Sequence, residues 1–113
     1  MGYRSTMILG IPPEQKKEFE VILKKHYGEF MNEVYKTLQL VKENKDVLIY
    51  EGEYLKWYPE FADVKEITEF LENTYKKNET WCFSVGIGED GKIHTELGEW
   101  YDFVGIYTTH EIY

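Results

Sequence analysis

Residues 81–97 read WCFSVGIGEDGKIHTEL, and this stretch decides the class of fold. Trp81, Phe83, Val85 and Ile87 alternate with Cys82, Ser84, Gly86 and Gly88. That period of two marks a strand with one bulky and one small face. Asp90-Gly91 follows as the strongest hairpin signal in the chain, and Ile93–Leu97 pairs back after it. The stretch also holds a GxGxxG spacing at Gly86, Gly88 and Gly91. A dinucleotide fingerprint needs strand, Gly-rich turn and then helix. Here the glycines lead into a hairpin, and Glu89-Asp90 stand where phosphates would sit, so that reading is rejected.

Working outward, Val64, Ile67, Leu71 and Tyr75 recur at helical spacing, with Asp63 and Glu66 arranged as a capping box at the start. Before them, Val47–Tyr50 and Glu53–Tyr58 read as two strands joined over Glu51-Gly52. Tyr3–Leu9 alternates as a first strand, closed by Gly10 and Pro12-Pro13. Pro13 is well placed to open a helix. Phe19, Leu23, Phe30, Val34, Leu38 and Val41 keep one phase, which predicts a helix of about thirty residues, bent or broken near Gly28. At the other end, Tyr101–Tyr107 reads as a last strand, with Glu111–Tyr113 as its extension. The expected order is β-α-β-β-α-β-β-β. Its first six elements match the split βαβ plan. The expected fold is therefore a single α+β domain over residues 1–113, ferredoxin-like or a near relative. Two layers are expected, an antiparallel sheet with both helices on one face.

The chain has 113 residues, of which 21 are acidic and 13 basic, for a net charge of −8. Such a balance opposes gripping nucleic-acid phosphates or an anionic membrane surface. One cysteine excludes an internal disulfide. No apolar run is long enough to cross a bilayer, and the N-terminal residues lack the apolar stretch of a signal peptide. The expected compartment is the cytoplasm. The charge is uneven. Residues 1–43 hold seven basic and six acidic side chains, whereas residues 44–113 hold six basic and fifteen acidic ones. The first part is thus +1 and the second −9.

The chain is also 17% aromatic, with ten Tyr, six Phe and three Trp. A small domain cannot easily bury so many rings with every hydroxyl and indole N–H satisfied. With both helices on one side of the sheet, the other side is expected to be open and to carry these rings among carboxylates. Tyr54, Trp57, Tyr58, Trp100, Tyr101 and Tyr107 are the expected anchors for a partner. Glu51, Glu53, Glu60, Glu96, Glu99 and Asp102 are the expected charge partners. The corresponding function is a non-enzymatic binding protein that engages and inhibits a basic protein, one that handles nucleic acid being a natural target. Phage-encoded inhibitors, including anti-CRISPR and anti-restriction proteins, and toxin immunity proteins share this size and charge. The likeness is one of composition. The same open face would also suit a homodimer.

Catalytic signals are weak. Cys82 reads as a small strand residue, not a nucleophile. His94 and Glu96 share a strand face and could join His110 or Cys82 around a metal, but no ligand spacing supports this, and no metal or cofactor is expected. The alternative function is a small enzyme or small-ligand sensor. Its pocket would lie between sheet and helices or between two protomers; the small face of Cys82, Ser84, Gly86 and Gly88 would let a ligand or a helix approach the backbone closely, and close helix packing is the favoured expectation.

Overall fold

A computed structural model describes residues 4–25, 38–55, 57–58, 60–77, 81–106 and 110–113. The side chains of Tyr54, Ile106 and His110 lie outside the description. The elements, in chain order, are β1 (Ser5–Ile11), α1 (Lys16–Lys25), β2 (Gln39–Glu43), β3 (Leu48–Leu55), α2 (Ala62–Lys77), β4 (Phe83–Gly88), β5 (Ile93–Leu97), β6 (Val104–Ile106) and β7 (His110–Ile112). Short 3-10 turns lead into α1 at Pro13–Gln15 and into β6 at Trp100–Asp102. The fold is α+β. Five strands form one sheet in the order β2-β3-β1-β4-β5, and every neighbouring pair is antiparallel. Strands β6 and β7 pair separately. Among the described residues no helix is long and apolar enough to cross a membrane.

The alternation of β1 sorts the core into two sides. Met7, Leu9 and Ile11 pack with Phe19 and Leu23 of α1 and with Val64, Ile67 and Leu71 of α2. Both helices therefore cover one face of the sheet. Asp63 stands in the first turn of α2, where the helix dipole favours a carboxylate, and its Oδ1 accepts the Val64 N–H at 2.8 Å. The alternation expected of β4 holds: Cys82 joins the helix-side core, while Phe83 and Val85 belong to the opposite one. The β4–β5 hairpin turns at Asp90-Gly91, where Gly91 takes a φ of +81°.

Three expectations are corrected. The expected helix does not run to Val41: α1 is described over Lys16–Lys25, residues 26–37 with the expected break near Gly28 lie outside the described residues, and Gln39–Glu43 is a strand. Leu38 and Leu40 satisfy a period of two as well as Leu38 and Val41 satisfy a helical one. The sheet selects the former, leaving Val41 49% exposed. Glu51-Gly52 is not a turn, because Leu48–Leu55 runs straight through it as one strand. Its hairpin partner is β2, across a turn held by Asn44, whose Oδ1 accepts the N–H groups of Asp46 and Val47. Gly52 serves close approach instead: a Cβ there would meet Leu55 Cδ1 at 2.8 Å and the Leu38 Cα at 3.2 Å.

The third correction concerns the face expected to be open. Ile8, Ile49, Phe83 and Val85 are buried on that side, together with Val104, under Trp81, Trp100, Phe103 and Ile112. The C-terminal segment thus closes the second face. Phe103 stacks on Phe83 with ring centroids 4.6 Å apart, and Trp81 meets Phe103 edge-on. The Lys42 ammonium donates to the Tyr113 carbonyl, tying the chain's last residue to β2. Four rings, Trp81, Phe83, Trp100 and Phe103, are spent here, and a dimer through a bare sheet face loses its premise.

Candidate functional site

The small face of β4 creates the most site-like feature. Ser84 and Gly86 offer little bulk toward α2, so helix and sheet do not close on each other there. A cleft of about 280 Å³ remains between α2 and the β4–β5 hairpin. Its floor is made of buried residues: Met7, Leu71, Ser84 and the indole of Trp57. Its rim is exposed and polar. Thr68 and Glu72, four apart on α2, stand on one side, and His94 and Glu96, two apart on β5, on the other. Among the described residues no lysine or arginine lines it. A second groove, lined in part by Glu69, Tyr75 and Lys76, adjoins it through the shared Glu72 and Leu97.

His94 is fixed in place. Its Nε2 lies 2.8 Å from the Ser5 hydroxyl and its Nδ1 2.7 Å from that of Thr95. Gly86 makes room for the ring: a Cβ there would meet His94 Cε1 at 2.7 Å and Met7 Sδ at 2.6 Å. Burial lowers the His94 pKa below its ordinary value, against an opposing pull from Asp90 and a backbone hydrogen bond. The ring is therefore neutral at pH 7. Ser5 is within reach of this base, but it is buried, and a hydroxyl faces the other ring nitrogen where a catalytic triad would place a carboxylate. The pair ties β1 to β5.

Cys82 is buried with its Sγ 3.4 Å from the Leu71 carbonyl oxygen, and burial pushes its thiol up to about 12. Such a thiol is not a nucleophile at neutral pH. Among the described residues no group of three or more His, Cys, Asp or Glu side chains is placed to hold a metal ion.

The expected partner-binding residues separate into groups. Trp57 is buried and lines the cleft instead of standing out on the surface. Tyr58 is half-buried, edge-on to Phe61. Trp100 is half-buried and donates its indole N–H to Glu96 Oε1 at 2.9 Å. Tyr101 is 60% exposed, edge-on to Trp100, and lies in the same short turn as exposed Glu99 and Asp102. These residues with Glu96 make one acidic, aromatic-tipped corner. Glu51 and Glu53 lie on β3, three strand spacings or about 14 Å from β5. Glu51 is half-buried, and Glu53 and Glu60 are exposed. The Tyr54 side chain, Tyr107 and the His110 side chain fall outside the described residues.

Sequence reasoning passed over Ser5, Thr68 and the seat of His94 on Gly86. The small-face alternation of β4 was the available signal, but it suggested close helix packing, whereas a cleft stands at Ser84. No protein-family model matches the chain, and no curated protein or solved structure matches it.

Proposed function

We propose that this chain is a non-enzymatic cytoplasmic binding protein that docks on a basic protein through the corner formed by Glu96, Glu99, Trp100, Tyr101 and Asp102. The observation that carries the reading is Tyr101, a large ring left 60% exposed between two exposed carboxylates at a short 3-10 turn. Tyrosine provides contact area at low entropic cost, and flanking carboxylates select a cationic surface. The Glu96–Trp100 hydrogen bond holds the corner in shape before contact. The −9 charge of residues 44–113 would speed encounter with such a partner. A partner that handles nucleic acid would be inhibited when this corner occupies its phosphate-binding surface.

We also read the fold as ferredoxin-like with one added strand. The order β2-β3-β1-β4 and the placement of both helices on one face support this, with β5 extending the edge.

The test is co-purification from the native host at low and high salt, using wild type and the variant Glu99→Gln/Tyr101→Ala/Asp102→Asn. A basic protein retained by wild type, released by salt and lost by the variant is the expected result. A partner that ignores both salt and the variant overturns the assignment. Inhibition is read separately, as loss of the partner's nucleic-acid binding when the chain is added.

A further inference from the structure

We infer that the cleft between α2 and β5 is a binding site for an alkyl-ammonium or alkyl-guanidinium group, an organic cation on a short apolar stem. The inference stands apart from the acidic corner and uses different residues, apart from Glu96. The geometry is that of a site with a directional polarity. Its floor offers Met7, Leu71 and the Trp57 indole to a hydrocarbon stem. Its rim sets the Glu72 and Glu96 carboxylates on opposite elements. An aromatic side chain and carboxylates lining one cleft suit an organic cation. Among the described residues the lining holds carboxylates and no lysine or arginine, which favours a cation over an anion.

An independent observation comes from Ser84. It is only 4% exposed and lines the cleft, yet its hydroxyl has no hydrogen-bond partner among the described residues. The hydroxyl is therefore not sealed in the core but open to the cleft, where a ligand donor can take the place of water. His94, held by Ser5 and Thr95, adds a rigid wall without adding a positive charge. The volume of about 280 Å³ holds roughly nine groups of water size, at about 30 Å³ each. Agmatine, with a guanidinium and an ammonium on a four-carbon stem, is of about that size and serves as the probe.

The cation could be a free amine or the arginine side chain of a protein, and the experiment separates the two. The isotope-labelled chain is titrated with agmatine, with a capped arginine-centred tripeptide and with 1-pentanol, and followed by NMR. Agmatine is expected to shift Trp57, Ser84 and His94 signals saturably and to bind more tightly than pentanol. Glu72→Gln/Glu96→Gln should weaken agmatine about tenfold or more, since each exposed carboxylate contributes a modest share. The Gln at 96 can still accept the Trp100 N–H. Ser84→Val, which fills the floor, should abolish binding, and the exposed double variant keeps the test decisive if Ser84→Val misfolds. Glu53→Gln and Asp102→Asn should change affinity less than about twofold, so failure here leaves the corner reading untouched and the reverse. Tighter binding of agmatine than of the tripeptide assigns a free amine, and the opposite order assigns a protein side chain. The inference is overturned if agmatine produces no saturable shifts, if pentanol binds as well, or if Glu53→Gln weakens agmatine as much as the rim variant does.

Discussion

The two faces of β4 meet opposite kinds of cover. Toward the helices the strand presents Cys82, Ser84 and Gly86, and toward the C-terminal segment Phe83 and Val85. The bulky face lies beneath the thinner cover, a single 3-10 turn and a two-stranded ribbon, yet it is sealed, with Phe83 and Val85 fully buried. The small face lies beside a sixteen-residue helix, yet it retains a cleft. Helices contribute large side chains but cannot approach a sheet closer than their own backbones allow. Small strand residues opposite them leave space, whereas large ones opposite a thin cover fill it.

The largest expected effect breaks the sealed face. Phe83→Ala removes the ring that stacks on Phe103 and should cost about 3–5 kcal/mol, read by chemical denaturation. Leu9→Ala, on the helix face of the neighbouring strand, should cost about 2–5 kcal/mol. A Phe83→Ala cost below about 1 kcal/mol would mean that the C-terminal cover does not form a true core.

Gly86→Ala sharpens the other face. The added Cβ must displace Met7 Sδ and the His94 ring, an overpacking cost of about 1–3 kcal/mol. The same substitution should pull His94 away from Ser5, visible as a changed imidazole NMR signal.

A smaller effect is expected from pH. Burial is the largest cause of the lowered His94 pKa, and both hydroxyl neighbours can accept from a protonated ring, so desolvation alone opposes the charge. Between the lowered folded value and the unfolded value of 6.5 the unfolded chain binds more protons. Stability from this group is complete above pH 6.5 and falls as pH drops below it. His94→Gln should flatten that part of a melting-temperature profile measured from pH 7.5 to 5 on the acid side. An unchanged slope would sink the assignment.

The smallest effect concerns Tyr50, the buried phenol of the helix face. Its hydroxyl has no hydrogen-bond partner among the described residues, and burial, reinforced by Glu20 and Glu43, raises its pKa to about 12. The ring packs edge-on against Phe19 at 4.8 Å. Tyr50→Phe should therefore be neutral or stabilising by up to about 1 kcal/mol, measured by thermal melting. A loss above that range would reveal a partner for the hydroxyl.

The aromatic surplus teaches a related lesson. Trp57 and Trp100 carry the same surface signal in the sequence, rings set among carboxylates. Trp57 lies on the floor of the cleft, whereas Trp100 helps seal the far face and fixes the acidic corner through Glu96. Only Tyr101 among the described anchors stands well out in solvent. Periodicity places a ring on one side of a strand, but which side is covered depends on segments far away in the chain.

The sequence by itself determined the alternation of β1 and β4, the hairpin at Asp90-Gly91, the stripe of α2 and the concentration of charge after residue 43. Each is a local pattern, set by backbone geometry and the spacing of apolar side chains. It also held the small face that opens the cleft. Tertiary structure alone decided three things. Residues 39–43 became a strand because the edge of β3 needed a partner, although Leu38 and Val41 suit a helix equally well. Glu51-Gly52 stayed extended because β1 and β2 bond β3 from both sides, which overrides a weak turn signal. The second face closed because the C-terminal segment folds back across it, burying Phe83 under Phe103. Contacts between residues so distant in sequence leave no periodic trace for a reader of the chain to find.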